Sequence, residues 1–444
     1  MEQHLKTKVL FDIAAFFPDN ITGIGRVTLE ILKRFLQRND LEITLICSDP
    51  DEQAAWRHLN KAIGTILPLR CKDAEHSELT EPLPLPPLPK ETFLRNCENF
   101  VRRFIPKNKL LNTSIETVRK IKWYIKPPPE PEKKERPRST ILEQLCRNSD
   151  IYFSPFILPI KEIDSNPNLK KLLVIYDVIP HIYPDLYSLE WFPDYNKVTP
   201  DMSLFSISQQ TKTDVLKFFP NISENQFTVI PLGADEQFKP SNDKSKIDSV
   251  LKKYKIPVDT PYILSIATLE IRKNFDHIIR CFENLHRKYE NDNTVKDSVL
   301  VLTGQKGWLD SEIYNAYGQL PKKIKRKIIF TGYAADEDLP FLYNGAECFC
   351  YMSLYEGFGL PPLEAMQSGC PVIVSNTSSL PEVAGDAGIM LPPKDEAGLV
   401  DAFYRVLTDG DLHHKMVAAG LEQAKKFTWD KCTDIILSKI KSGV

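Results

Sequence analysis

Short apolar runs alternate with helical patterns along most of this chain, and that alternation restricts it to few folds. Candidate strands are Val9–Ala14, Ile43–Cys47, Ile151–Ser154, Leu172–Tyr176, Ser203–Ser208 and Phe227–Pro231. A second series follows at Tyr262–Ala267, Val299–Thr303, Ile328–Thr331, Cys348–Met352 and Val372–Val374. Helical periodicity separates many of them. In Arg26–Arg38, for example, Val27, Ile31, Leu32, Phe35 and Leu36 share one face. Strands separated by helices form parallel sheets, because each crossover helix returns the chain to the same sheet edge. Two series in 444 residues predict two α/β domains with mostly parallel sheets. The break falls in the polar, Gly- and Pro-containing stretch "PLGADEQFKPSNDKSK", Pro231–Lys246, giving domains over about 1–240 and 241–426. The terminal "FTWDKCTDIILSKIKS" reads as a separate amphipathic helix within 427–444.

One segment fits neither domain. "EPLPLPPLPK" (81–90) carries five prolines in eight positions, and "KPPPEPEKKERPRS" (126–139) is similar. Both read as extended polyproline-type linkers. They bracket a stretch with an amphipathic pattern and a basic face, so 81–139 reads as an insertion in the first domain. Between Lys90 and Arg138 there are 14 Lys/Arg against 6 Asp/Glu, whereas the whole chain has a formal charge of −2. The basic character is therefore local, and the totals point to no nucleic-acid partner. Nine scattered cysteines show no metal spacing and no disulfide framework, which makes a reducing cytoplasm the default. The first residues lack the apolar core of a signal peptide, and no apolar run reaches the length of a membrane span.

The chemistry concentrates in "YEGFGLPPLEAMQSGCPVIVS", Tyr355–Ser375. Cys348–Met352 reads as a strand and Pro361–Ser368 as a helix. Pro361 and Pro362 suit a first helical turn, where backbone N–H groups have no intrahelical partner. Gly369 suits a left-handed cap. The N–H groups of Gly357, Phe358, Gly359 and Leu360 then surround a helix N-terminus, which attracts anions. Glu364, in the first turns, is unsuited to sit beside an anion and suited to accept hydrogen bonds from a diol such as a ribose. Glu356, on the loop, is free to face a sugar or a reacting centre. The competing reading is an ordinary strand–loop–helix connection, with Glu364 only complementing the helix dipole.

"EGFGLPPLEAMQSGCPVIVSNTSSLPEVAGDAGIML" resembles the signature region of family 4 retaining glycosyltransferases (glycosyl transferases group 1), with their Glu-x7-Glu motif at Glu356 and Glu364. "SIATLEIRKNFDHIIRCF" resembles the phosphate-binding segment of a subgroup that includes bacterial mannosyltransferases. "SISQQTKTDVLKFF", "VIPLGADEQF" and "FDIAAFFPDNITGIGRVTLEIL" resemble parts of the first domain. The resemblance covers nearly all of the chain except about 70–145. It implies the α/β GT-B architecture, two Rossmann-like domains with a cleft between them, with the donor mainly on the second domain, the acceptor mainly on the first, and the C-terminal helix returning to the first. It places Arg272 and Lys273 on the donor diphosphate, Glu364 on the ribose and Glu356 on the transferred sugar. Gly23 and Gly25 approach the same diphosphate, and Gly332 and Tyr333 lie near the base. Many members have a His-Asp pair after the fourth strand. Here "VIYDVIPHIYPDLY" puts Tyr176 where the His often stands, so Asp177 and His181 are both candidates for contact with sugar or acceptor.

The implied reaction moves a sugar, with GDP-mannose as first choice of donor, to a hydroxyl of a glycan or lipid-linked acceptor with retention. UDP-glucose, UDP-N-acetylglucosamine and deoxysugar donors stay open. No cofactor is implied. No metal is implied either: the Asp-x-Asp triplets at Asp49–Asp51 and Asp409–Asp411 read as turns, and that at Asp336–Asp338 as an acidic helix start. A nucleotide-sugar epimerase, a sugar-binding scaffold, or a glycogen- or sucrose-type synthase would share the architecture. Segment 91–126 combines Phe93, Phe100, Phe104, Ile105 and Trp123 with Arg102, Arg103, Lys107, Lys109, Arg119, Lys120 and Lys122. That pairing suits peripheral attachment to an anionic membrane face, each cation contributing up to about 1 kcal/mol. The protein is accordingly predicted to co-sediment with anionic liposomes at low salt. Charge reversal of Arg102, Arg103, Arg119, Lys120 and Lys122 to Glu should release it, and a protein that stays in the supernatant at low salt refutes the membrane role.

Overall fold

The computed structural model describes residues 6–14, 23–48, 138–156, 158–190, 192–307 and 310–442. Residues 15–22, the triplet Asp49–Asp51 and nearly all of the 81–139 insertion, including 91–126, lie outside the described residues. Two parallel six-stranded sheets organise the chain, the α/β arrangement that the alternation of runs predicts. The first holds β1 (Thr7–Asp12), β2 (Leu41–Ile46), β3 (Ile151–Ser154), β4 (Lys170–Ile175), β5 (Met202–Ser206) and β6 (Phe227–Val229), in the order β2-β1-β3-β4-β5-β6. The second holds β7 (Tyr262–Ile266), β8 (Val299–Thr303), β9 (Ile328–Gly332), β10 (Cys348–Tyr351), β11 (Val372–Ser375) and β12 (Ile389–Leu391), in the order β12-β11-β10-β7-β8-β9. Continuously apolar strands such as "VLVLT" in β8 are buried along their whole length, as strands covered on both faces must be.

In the second sheet β7 lies beside β10, so the strand order reverses between them. Crossovers on the two sides leave in opposite directions there and open a crevice at the carboxyl ends of both strands. The segments following β7 and β10 are "TLEIRKN" and "LYEGFGLPP", so topology brings the two motifs of the second half together.

The helix Gly23–Leu36 packs on the first sheet through Phe35, whose ring centroid lies 5.7 Å from that of Phe11 and 5.3 Å from that of Phe153. The C-terminal helix Trp429–Lys441 lies against it: Arg34 Nε donates to Asp430 at 2.6 Å and Lys441 Nζ pairs with Asp40 at 2.7 Å. Trp429, Cys432, Ile436, Leu437 and Ile440 are its buried face.

Three local readings change. The first helix begins at Gly23, not Arg26, so Gly23 and Gly25 lie inside its first turn. Asp409 caps the helix Gly410–Ala424 by accepting from Leu412 N at 3.0 Å; the triplet read as a turn is a helix start, because Gly410 is itself helical. A twelfth strand, Ile389–Leu391, pairs with β11 at the sheet edge. Among the described residues no helix is long and apolar enough to cross a membrane.

At Gly233 a Cβ would stand 2.3 Å from the backbone N of Trp429, and neither backbone can yield. Gly233→Ala should therefore destabilise the fold by about 1–3 kcal/mol, the scale of overpacking, as read from urea denaturation.

Candidate active site

Glu356 is the most demanding group in the crevice, because the residue is only 9% exposed. Arg272 Nη1 reaches its Oε2 at 2.9 Å and Lys273 Nζ its Oε1 at 2.5 Å. Ser353 Oγ and Tyr351 Oη also donate to Oε1, at 2.6 and 2.9 Å. Burial alone would raise this carboxyl; Arg272 and Lys273 overcome it and hold it down at about 2, so it is ionised at any working pH.

The cations are as constrained as the carboxylate. Arg272 also pairs through Nη2 with Glu270 at 2.7 Å, donates from Nη1 to the Tyr355 carbonyl at 2.6 Å, and from Nε to Tyr187 Oη at 2.9 Å. Lys273 Nζ donates to Tyr351 Oη at 2.8 Å. Burial and the adjacent Arg272 push the Lys273 ammonium below its ordinary range, and Glu356 pulls it back. Both residues ride on a 3₁₀ turn, Ile271–Lys273, that ends at Asn274 with φ 60° and ψ 33°. Asn tolerates this left-handed conformation better than most residues. Its side chain ties the turn to the Met352 carbonyl at 2.9 Å and the Pro393 carbonyl at 2.6 Å.

The loop after Glu356 matches its sequence reading. The helix runs Leu360–Gln367 with Pro361 and Pro362 in its first turn, and Gly369 follows at φ 78°. Gly359 sits at φ 130°, a conformation L side chains rarely adopt. Among the described residues none accepts a hydrogen bond from the N–H groups of 357 to 360. Gly357 is wedged against the first half of the molecule: a Cβ there would lie 2.3 Å from the Tyr176 carbonyl oxygen and 3.1 Å from Asp177 Cβ. Its own carbonyl accepts from Ser208 Oγ at 2.7 Å and Thr211 Oγ1 at 3.1 Å. Around this contact Glu382 accepts from the N–H groups of Gln209 and Gln210 at 2.8 and 2.7 Å, and Tyr355 Oη donates to Asp214 at 2.6 Å.

Of the two candidates after β4, only Asp177 reaches the charged cluster. Burial raises its carboxyl, with Arg272 and Lys273 opposing and Glu356 reinforcing. Its Oδ1 accepts from Ile179 N at 2.9 Å. His181 instead packs its ring against Phe192, Phe218 and Phe219, at centroid distances of 5.4, 5.9 and 4.9 Å, and its buried Nδ1 has no hydrogen-bond partner. Glu364 is buried eight residues along from Glu356, on the helix, and does not join that cluster. Arg26 Nη1 reaches its Oε1 at 2.7 Å and Tyr343 Oη its Oε2 at 3.2 Å. Arg26 Nη2 also meets Asp336 at 3.1 Å, three residues beyond Tyr333, whose ring is 57% exposed at the end of β9 after Gly332 (φ 72°). Sequence reading missed Arg26, Glu270, Tyr351 and Ser353. For Arg26 there was a signal: a cation in a helix's first turn, with no acidic neighbour there, opposes the helix dipole unless a distant anion compensates.

Two parallel six-stranded sheets whose loops meet over a charged crevice define a protein of the GT-B class. Residues 246–423 match the model described as glycosyl transferases group 1. It is 34% identical over 240 residues to the Escherichia coli O-antigen chain mannosyltransferase B, a match spanning 54% of this chain and 60% of that protein. It is 30% identical over 270 residues to the E. coli serotype-specific mannosyltransferase WbdA, spanning 59% of this chain and 32% of WbdA. The matches thus span less than two thirds of these curated relatives. In fold it is similar to a glycosyltransferase from Rickettsia africae (TM-score 0.64, 16% identity, 99% of this chain and 98% of that one) and to the Anabaena protein HepE in complex with UDP and glucose (TM-score 0.61, 14% identity, 98% and 100%). At these identities the likeness concerns the fold.

Removing the charge of Glu356 leaves two buried cations short of a partner. Glu356→Gln should lower stability by about 3 kcal/mol at pH 7. Because the carboxyl's folded pKa lies below its ordinary 4.5, its contribution is full above about pH 4.5 and is lost as pH falls toward 2. The gap between wild type and variant in urea denaturation should therefore shrink as pH is lowered from about 5 to about 3.

Proposed function

We propose that the protein is a retaining, metal-independent glycosyltransferase that moves mannose from GDP-mannose to a hydroxyl of a glycan or lipid-linked acceptor. The observation that carries this is the ionised Glu356, held by Arg272 and Lys273 beside a helix N-terminus with unpartnered backbone N–H groups. A nucleoside diphosphate leaving as an anion needs fixed positive charge and aligned N–H dipoles; a sugar needs a carboxylate acceptor close by. In this reading Lys273, Arg272 and the N–H groups of Gly357, Phe358, Gly359 and Leu360 stabilise the departing diphosphate. Gly23 and Gly25 approach it from the other side, Gly332 and Tyr333 lie at the base, Glu364 accepts from the ribose and Glu356 from the transferred sugar. Asp177, close to the cluster from the first half, contacts the sugar or acceptor; His181, in its aromatic surroundings, supports the short helix Ile179–Ile182.

The bond from the anomeric carbon to the diphosphate oxygen breaks, the acceptor oxygen bonds to that carbon on the same face, and the acceptor proton passes to the leaving phosphate oxygen. No side chain is required as nucleophile, so orientation and charge stabilisation supply the rate. The choice of mannose follows the two E. coli mannosyltransferases to which the chain is similar. The scaffold reading is disfavoured by the same cluster, because four charges, Glu270, Arg272, Lys273 and Glu356, are costly to bury without a use; an epimerase would convert the nucleotide sugar without an acceptor.

GDP at 100 times its dissociation constant should stabilise the protein by about 2.7 kcal/mol, read as a larger thermal shift than UDP or dTDP gives. With GDP-mannose and mannosyl oligosaccharides, NMR of the product should show the donor's anomeric configuration, and EDTA should leave the rate largely intact. An inverted product, or conversion of the nucleotide sugar without an acceptor, overturns the proposal. Lys273→Ala should lower the transfer rate about tenfold to a hundredfold, the scale of a lost electrostatic contact to a transition state.

A further inference from the structure

Arg26 and Glu364 are 338 positions apart and come from opposite halves of the molecule, yet Nη1 and Oε1 are 2.7 Å apart. The Glu364 side chain is 6% exposed and that of Arg26 20%. Asp336, beside the end of β9, holds the guanidinium from its other nitrogen at 3.1 Å, so the fork is fixed at both ends. On Glu364, Arg26 occupies one site of Oε1 and Tyr343 one site of Oε2. A carboxylate oxygen accepts two hydrogen bonds, so one site stays open on each oxygen. Two open acceptors side by side match the two hydroxyls of a vicinal diol.

We propose that Arg26 is a positioning residue for the nucleoside: it reaches across the crevice from the first helix and holds Glu364 oriented toward the ribose diol. The idea rests on the assignment of Glu364 to the ribose. It makes the nucleoside end of the donor a site built by both halves of the protein. The electrostatics agree with the geometry. Burial raises the Glu364 carboxyl; Arg26 and the Tyr343 hydroxyl lower it, and Asp336 and Asp235 raise it further. These are the groups that face it from the first helix, the helix Leu339–Asn344, the loop after β9 and the segment after β6. The net direction is upward even with Arg26 in place, and removing Arg26 takes away the foremost of the groups that oppose it, so Glu364 moves further toward the protonated form.

The test is GDP binding by calorimetry between pH 7 and 9, with UDP in parallel, on wild type, Arg26→Ala, Arg26→Lys and Glu364→Gln. This range lies above the second ionisation of the terminal phosphate, and Glu364→Gln reports any remaining phosphate contribution. Wild type should bind with little pH dependence. Arg26→Ala should bind about tenfold more weakly at pH 7, a loss of about 1.4 kcal/mol, and recover as pH rises and Glu364 ionises. Arg26→Lys should restore most of the affinity and the flat profile. If Arg26→Ala does not fold by circular dichroism, Arg26→Gln, which keeps a donor without charge, should show the same pH-dependent loss. Unchanged binding in the Arg26 variants refutes the proposal. So does tighter binding, which would make Arg26 a competitor for Glu364, or a loss equal at every pH, which would make it a phosphate ligand. If Glu364→Gln itself binds GDP like wild type, the failure lies with the ribose assignment.

Discussion

A carboxylate taken out of water has to be met by opposite charge and hydrogen bonds, and Glu356 is met by four donors, two from the segment after β7, one from the end of β10 and one from the loop that follows it. That requirement orders much of the second half. The cations come from the segment after β7 and the carboxylate from the segment after β10, so their pairing closes the crevice floor where the strand order reverses. The backbone is held to the same end: Leu354 N donates to the Arg272 carbonyl at 2.8 Å, and Glu356 N to Ser378 Oγ at 2.9 Å. With Glu356 fixed, the glycine turn that follows and the start of the helix Leu360–Gln367 have little freedom left.

The same loop is also an interface. Ser208 caps its own helix by accepting from Thr211 N and, with its hydroxyl proton, donates to the Gly357 carbonyl. Glu382 fills the remaining N–H groups of that helix end, a favourable place for a carboxylate. Arg272 reaches Tyr187 and Arg26 reaches Glu364 across the same gap. The groups that shape the crevice are thus largely the groups that join the two halves.

How far this was legible depended on range. β3 and β8 were bounded to the residue because each apolar run ends at a hydroxyl residue, Ser154 or Thr303, followed by a breaker, Pro155 or Gly304. β12 escaped because Ile389, Met390 and Leu391 are only half-buried at an edge and three residues carry little periodicity. The Glu356 and Glu364 spacing, the prolines and Gly369 could be read because their physics is local. What they touch could not: Glu364's partner lies 338 positions away, and no periodicity encodes that. Asp177 and His181 looked alike as loop residues after β4; the aromatic rings that enclose His181 come from positions 192, 218 and 219, which only the tertiary packing unites. Arg272 and Lys273 were read as cations awaiting an anion, whereas much of their charge is balanced within the protein by Glu356 and Glu270.

The C-terminal helix adds a mechanical consequence. The chain passes from the first sheet to the second after β6 and comes back through residues 424–429, so two covalent straps join the halves. Where those straps meet, Gly233 and the backbone of Trp429 are in close contact. Bodies tied at one point can swivel in any direction. Straps anchored side by side behave more like a door on its pins: they permit swinging about one line and resist twist and lateral slip. Any widening of the crevice is thereby channelled into a single coordinate, with Glu356 and its neighbours on the swinging edge.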